Sequence, residues 1–456
     1  MIFFKKKHRG SFYCQTRLQQ LPYVPVKPED YDILENPVHF RKRLLQLIAG
    51  AKSRILITVL YLQDDRSGRE ILEALYKAKE LNPKLHISVY VDFHRAQRGL
   101  IGKGSSNGNS DLYYAMAKNC DAPPTIYGVP VKRREIFGVM HLKGCIFDDT
   151  VLYSGASFNE TYLAYSGKYR LDRYHEIHSK PLADAMCNFV TSSFHLNYSV
   201  QDFSQGKVRP AKAINDEIKR FRRYLTSVQY DVRARKIHKD EIGISPLVGM
   251  GKNNNLLNKA ILWLIGTSRD HLFVCTPYFN FPKAVLVVLN AALLRGVRIT
   301  LVVGDKTAND FYIQPGEKFS AVGAVPYIYE QNLRHFIEEH QSYVDNGSLE
   351  IMLWQDDKNS YHVKGLFVDQ NYALITGNNL NPRAWALDLE NGLIISDPQH
   401  LMQEKFIHEQ LYLLKNTRQI KSVNELENLS DYPEEVRKLL TRVKRFKANL
   451  LIKRLL

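Results

Sequence analysis

His141 and Lys143 stand two residues apart with Asp148 five further on, and the same His-x-Lys-x4-Asp spacing returns at His362, Lys364 and Asp369. On an extended chain, side chains two apart share a face, so each pair presents an imidazole beside an ammonium. That combination suits a phosphate. The ammonium makes charge-assisted contacts to phosphate oxygens, and the imidazole titrates near neutrality, where it can act as nucleophile or as acid and base. Asp148 and Asp369 sit at odd offsets from their lysines, at the strand's end, and are expected to face away from the phosphate as structural residues. One such motif arises by chance in about one chain in twenty of this length, and two in roughly one in several hundred.

Each motif is followed by a small loop that contains glycine, Tyr153-Ser154-Gly155-Ala156-Ser157-Phe158-Asn159 in one case and Ile375-Thr376-Gly377-Asn378-Asn379-Leu380-Asn381 in the other. Glycine allows close backbone approach, and Ser157, Asn159, Asn379 and Asn381 are expected to offer neutral donors to phosphate oxygens.

The elements that must position these residues repeat as well. An apolar run ending in tyrosine, Ile55 to Tyr61, matches Leu272 to Tyr278. Continuous β-rich runs of this length suit strands buried on both faces. Helical stretches follow, Gly68 to Leu81 and Pro282 to Leu294, leading into the strands Ile87 to Asp92 and Ile299 to Gly304. Each half therefore opens as a β-α-β unit, and strands alternating with helices give an α/β class with a mostly parallel or mixed sheet in each half.

The chain of 456 residues, 45% hydrophobic, is long enough for two cores. Its formal net charge of +16 implies an anionic partner: nucleic acid, a phosphate-bearing substrate or an acidic membrane surface. The five cysteines are scattered without any C-x2-C pair, which fits a reducing cytoplasm. No secretory signal is read at the N-terminus, and no apolar run reaches the ~18 residues of a transmembrane helix. The expected organisation is a first half over 1–205 with a basic tail over 1–10, a basic connecting segment over 206–243, a second half over 244–420, and a C-terminal basic amphipathic helical segment over 421–456. That last segment carries an apolar stripe including Val436, Leu439, Leu440, Val443, Phe446, Leu450, Leu451 and Leu455 among basic residues. It reads as an interfacial membrane helix, with docking on the protein's own surface as the alternative.

The doubled motif with its Gly-x-Ser-x-Asn loop or a close variant resembles the phospholipase D superfamily. Asp-Phe-His-Arg-Ala-Gln-Arg-Gly from Asp92, Gly-Asp-Lys-Thr-Ala-Asn-Asp-Phe-Tyr from Gly304 and Gly-Asn-Asn-Leu-Asn-Pro-Arg-Ala-Trp from Gly377 extend the resemblance to its bacterial CDP-diacylglycerol–serine O-phosphatidyltransferase branch, nearly end to end. The resemblance implies a bilobal fold of two pseudo-twofold-related α/β/α sandwich halves sharing one active site, with no cofactor and no metal. It implies that His141 attacks phosphorus to form a phosphohistidine. His362 then protonates the departing group and later deprotonates the incoming hydroxyl, with Lys143 and Lys364 stabilising the oxygens.

A nucleophilic histidine needs its second nitrogen oriented by an acceptor. Glu390 is the candidate in the second half, where the family places an acidic residue after the loop. Tyr174-His175 occupies the aligned place in the first half, which leaves Asp172, with Glu176 as the lesser alternative.

The residues after the second strand of each half differ: Asp92, His94, Arg95 and Arg98 against Asp305, Lys306, Asn309 and Asp310. Strand ends in α/β sheets are common ligand sites, and the resemblance suggests a division between a cytidine-diphosphate end and a serine end without assigning which is which. The implied partners are CDP-diacylglycerol, L-serine and an anionic phospholipid membrane surface on the inner face of the cytoplasmic membrane, with nonspecific RNA or ribosome association as a consequence of charge. Two other readings stand beside this one: a cardiolipin synthase or phospholipase D, and a basic nucleic-acid-binding protein or nuclease.

Overall fold

Strand Arg54–Thr58 is buried on both faces, as its unbroken apolar run predicts: Ile55 and Ile57 point into one apolar cluster and Leu56 into another. Its counterpart His271–Thr276 divides in the same way, with Leu272 and Val274 on one side and Phe273 and Cys275 on the other. These two strands are central to two mixed sheets in a computed structural model that describes residues 2–98, 108–206, 208–314 and 316–445.

The first sheet runs in the order Gln201–Asp202, Thr125–Val129, His86–Asp92, Arg54–Thr58, Gly144–Phe147, Thr150–Ser154, Tyr174–His178, Tyr31–Leu34. The second runs Leu349–Trp354, Arg298–Gly304, His271–Thr276, Gly365–Val368, Tyr372–Thr376, Leu389–Ser396, Ile242–Met250, with short edge strands Thr417–Ile420 and Val24–Val26 outside these. Both sheets place the strand that opens the β-α-β unit between a parallel partner that closes the unit and the antiparallel strand that follows the His-x-Lys segment. The crossover helices, Arg66–Leu81 and Lys283–Arg295, cover the outer faces. Asp65 caps the first by accepting from the Gly68 backbone N–H.

The inner faces meet across one shared core. Leu56, Ile146 and Val151 of the first sheet join Phe273, Phe367 and Leu393 of the second, together with Met186 and Phe189 of helix Lys180–Val190 and Phe406 of helix Gln403–Leu414. A buried ion pair crosses the same boundary, Arg173 Nε donating to Glu409 Oε1 at 2.7 Å.

Two features of the expected organisation are corrected, at the N-terminal and C-terminal segments, and the connecting segment gains a defined helix. Residues 2–26 do not belong with the first half: Val24–Val26 pairs antiparallel with Ile242–Met250 at the edge of the second sheet, and Leu18, Leu21 and Tyr23 pack with helix Leu256–Thr267. The basic connecting segment contains a docked helix, Asn215–Leu225, whose Phe221 and Leu225 enter the shared core while its arginines and lysine face outward. The C-terminal helix Glu434–Arg445 turns its stripe inward: Val436 and Leu440 are buried against Ala324, Tyr327 and Tyr432. At Val436, Leu439 and Leu440 the stripe is satisfied within the protein; the side chains of 443–445 and all of 446–456 lie outside what is described. Among the described residues no helix is long and apolar enough to cross a membrane.

Candidate active site

The His-x-Lys segments do not lie within the strands, as expected, but lead into Gly144–Phe147 and Gly365–Val368. Their extended conformation is held by the opposite half. The His141 N–H donates to Leu389 O at 2.9 Å, and Leu389 returns a bond from its N–H to Val139 O at 3.0 Å. The Lys143 N–H donates to Asn391 Oδ1 at 2.8 Å. In the related position the His362 N–H donates to Leu171 O at 2.8 Å, and Ser360–Tyr361 pairs with Arg170–Leu171. Each motif is thus positioned by the other half's carboxylate-bearing segment.

The aspartates of the motifs are structural, as their parity requires. Asp148 accepts from the backbone N–H groups of Lys52, Ser53 and Arg54 at 2.8 to 3.0 Å, and Asp369 from those of Arg269, Asp270 and His271 at 2.8 to 2.9 Å. Each ties the turn after its motif to the start of the neighbouring strand.

The carboxylates expected to orient the histidines are crossed between the halves. His141 Nδ1 lies 2.9 Å from Glu390 Oε1, whereas Asp172 Oδ2 lies 3.1 Å from His362 Nδ1 and accepts from Lys364 Nζ at 2.8 Å. Glu176 is excluded, because it pairs with Arg43 at the protein's edge. The loop glycines make the crossing sterically feasible. A Cβ at Gly155 would stand 2.7 Å from Asp172 Oδ2 and 2.9 Å from Lys364 Nζ, and one at Gly377 would stand 2.7 Å from Lys143 Cγ.

All six of these side chains are buried. Burial, reinforced by Lys143 and Lys364, pushes His141 well below its ordinary value, which favours the neutral imidazole; in the tautomer that donates Nδ1–H to Glu390, Nε2 carries the lone pair. The same burial, with Asp388 nearby, raises the Glu390 carboxyl against the pull of the two lysines. Burial brings His362 down to about 4 and Lys143 down to about 7, Lys364 adding repulsion in both cases. Burial would raise Asp172, but Lys364 and His362 outweigh it and hold the carboxyl at about 2. Two buried ammonium groups side by side are costly in the absence of an anion, and a phosphate oxyanion between them would relieve that cost.

Of the loop residues expected to face phosphate, Ser157 lies beside Lys143, its Oγ accepting from Lys143 Nζ at 3.3 Å. Two others hold backbone: Asn159 accepts from the Tyr162 N–H at 2.8 Å, and Asn381 caps helix Pro382–Ala386 through the Ala384 N–H at 2.9 Å. The Asn379 backbone carbonyl accepts from Thr276 Oγ1 at 3.0 Å, while its side-chain Oδ1 is buried without a hydrogen bond among the described residues.

The residues after the second strands are also corrected in part. Asp92 is fully buried, and its carboxylate accepts from the N–H groups of His94, Arg95 and Met140. It shapes the loop rather than meeting a ligand, and burial raises it to about 6. Asp305 plays the same part through the Thr307 N–H, and Asn309 through the Phe311 N–H. Lys306 is held between Glu330 at 2.9 Å and Glu427 at 3.0 Å. Arg98 forms a two-pronged pair with Glu135, Arg95 stacks on Tyr61, and His94 Nε2 bonds Lys132 O at 2.7 Å.

Three participants escaped the sequence reading. Tyr162 places its hydroxyl 3.1 Å from His362 Nδ1, Arg170 stacks on the Tyr162 ring while pairing with Asp310, and Asn391 grips Lys143 through both its N–H and its C=O. Only Asn391, next to Glu390, carried a local signal.

Two His-x-Lys half-sites contributed by two related sheets and closed by crossed carboxylates define a phospholipase D-like protein. The model of the family described as "Cardiolipin synthase, PLD-like domain" matches residues 44–191 and 261–410. The chain is 44% identical over its whole length to the CDP-diacylglycerol–serine O-phosphatidyltransferase of Escherichia coli K12, covering 99% of that protein. It is 42% identical to the enzyme of the same name from Haemophilus influenzae, over 97% of this chain and 98% of the other. The crystal structure of phosphatidylserine synthase from Haemophilus influenzae Rd KW20 superposes with a TM-score of 0.94, covering 98% of this chain and 100% of that one, at 42% identity. The chain belongs to the CDP-diacylglycerol–serine O-phosphatidyltransferase family of phospholipase D-like proteins.

Proposed function

We propose that the protein transfers the phosphatidyl group of CDP-diacylglycerol to L-serine in phospholipid biosynthesis, giving phosphatidylserine and CMP through a phosphatidyl-histidine on His141. The observation that carries the mechanism is the crossed pair of orienting contacts, His141 with Glu390 and His362 with Asp172, around two buried lysines.

In the first step His141 Nε2 attacks phosphorus and the bond to the CMP oxygen breaks. Lys143 and Lys364 face the non-bridging oxygens, where charge develops. The departing phosphate has a second pKa near ~6, so it leaves without strong acid assistance. Burial keeps His362 neutral in the free enzyme. In that state it suits its second task, taking the proton of the incoming serine hydroxyl as the oxygen attacks the phosphohistidine.

The lipid substrate implies a membrane surface. Ile136 and Phe137, 49% and 50% exposed, stand five and four residues before His141, beside Arg133 and Arg134. Apolar tips flanked by arginines suit the headgroup region of an anionic leaflet, and support action at the inner face of the cytoplasmic membrane. An association with RNA rests on the net charge of +16 alone.

The test is purified protein with CDP-diacylglycerol in detergent micelles, with and without L-serine, following CMP and lipid products. Serine-dependent phosphatidylserine formed together with CMP is expected. No CMP, with cleavage of phosphatidylglycerol or nucleic acid instead, would overturn the reading.

A further inference from the structure

Beyond Asp172 and Lys364, which touch His362 directly, an ion pair stands on the same side of the site: Arg170 Nη2 lies 2.9 Å from Asp310 Oδ1.

Neither member is sealed off, the side chains retaining 15% and 18% exposure. The pair reaches His362 through two tyrosines. Arg170 lies 4.6 Å over the Tyr162 ring, whose hydroxyl is 3.1 Å from His362 Nδ1. Asp310 Oδ2 accepts from the Tyr278 hydroxyl at 3.3 Å, and the Tyr278 ring stands 6.1 Å from that of His362. Arg170 Nε is fixed on Ser360 Oγ at 3.1 Å, two residues before His362. Asp310 Oδ1 is buried and, although ion-paired, is without a hydrogen bond of good geometry. An acceptor left in this condition favours a ligand that donates to it.

We propose that Arg170 and Asp310 form the subsite for the zwitterionic end of the acceptor, an α-amino acid, with Arg170 taking its carboxylate and Asp310 its ammonium. This rests on the two-step transfer to serine proposed above. One cation and one anion held side by side complement a ligand that carries both charges on one carbon. The placement also orients the reaction. With both charges of serine engaged, its hydroxymethyl arm is directed toward His362. The oxygen forms its bond to phosphorus, the bond from phosphorus to His141 Nε2 breaks, and the hydroxyl proton passes to His362.

The partition of the phosphatidyl-enzyme between acceptor and water, read as phosphatidylserine against phosphatidic acid, isolates the second step and does not depend on how much of a variant is folded. Asp310→Asn and Arg170→Gln are each expected to lower the serine-to-water ratio about tenfold to a hundredfold, the range of one charge-assisted contact. Analogues separate the two roles. Asp310→Asn should depress transfer to ethanolamine, which keeps only the ammonium, and spare 3-hydroxypropionate, which keeps only the carboxylate; Arg170→Gln should do the reverse. Unchanged partition ratios, or a rise confined to the KM for CDP-diacylglycerol, overturn the subsite while leaving the transferase reading intact. Wild-type protein that releases CMP but transfers only to water overturns both.

Discussion

His141 Nδ1 lies 2.9 Å from a carboxylate oxygen of Glu390, a residue 249 positions away in the other half of the chain, and Asp172 answers in reverse by meeting His362 across a separation of 190. Neither half holds a complete histidine-carboxylate pair. The halves are therefore expected to be inactive apart and active only as one body.

The crossing assigns each carboxylate to one step. Glu390→Gln, acting through His141, should slow the release of CMP in a single turnover by about 10² to 10⁴, the range for loss of a histidine's orienting acid. Asp172→Asn, acting through His362, should slow transfer from the phosphoenzyme to serine more than it slows CMP release. The reverse assignment in rapid-quench measurements would show that the two histidines exchange roles.

Lys143, held down to about 7, sets an alkaline limit. kcat/KM for CDP-diacylglycerol reports the free enzyme, and it should fall as pH rises through about 7 and the ammonium is lost. kcat should hold to higher pH, because a bound phosphate restores the proton. Stability runs in the opposite direction. Between about 7 and the lysine's ordinary 10.5 the unfolded chain binds the proton that the native protein has released, so this residue makes the protein more stable as pH rises across that window. Lys143→Met should remove this pH dependence of stability in urea titrations.

Arg173 and Glu409 lock the two halves through a pair whose side chains are nearly inaccessible. Glu409→Gln leaves the guanidinium buried with no carboxylate beside it and should cost roughly 3 to 5 kcal/mol. Burial raises this carboxyl, but Arg173 and His175 prevail and hold it at about 2, so its contribution is present above the ordinary carboxylate range and is lost as pH falls toward 2. Acid unfolding followed by circular dichroism should begin at higher pH in the wild type than in Glu409→Leu, measured from each protein's own neutral baseline.

Gly155→Ala would push a methyl group into Asp172 and Lys364, and should cost about 1 to 3 kcal/mol and most of the activity. Gly10→Ala, in the helix Ile2–Gln19 with nothing within 4 Å of the added carbon, should instead stabilise by up to about 1 kcal/mol. Paired thermal melts distinguish a local clash from a general intolerance of alanine.

Replacing Ile136 and Phe137 together by Ser should weaken binding to phosphatidylglycerol-containing vesicles while CMP release in detergent micelles is kept. Removing Arg133 and Arg134 should weaken the same binding by about 1 kcal/mol each, an effect that fades as salt rises. Vesicle sedimentation over a salt series reads both.

The doubled motif, the β-α-β openings and the structural role of Asp148 and Asp369 were legible in the sequence, because each depends on periodicity or parity within a short stretch of chain. Ile55 and Leu56 alternate between two cores in the structure, as an unbroken apolar run on a buried strand must. Asp92 and Asp305 were misread for a reason of the same kind: a carboxylate at a strand's end is equally suited to a ligand and to the backbone N–H groups of the next turn, and only the turn's geometry decides.

What the sequence could not determine was which half each side chain would serve. Val436 and Leu440 carry the same pattern whether a membrane or Tyr327 covers them, and Leu18 gives no sign that it packs on the second half. Local pattern thus determined the chemistry of each half-site, namely a histidine, a lysine and a carboxylate in each. Tertiary structure alone decided that Glu390 would cross to His141, Asp172 to His362 and Arg170 to Asp310, because such contacts are set by how two sheets pack face to face, and packing across 140 to 250 residues leaves no periodic trace in the chain.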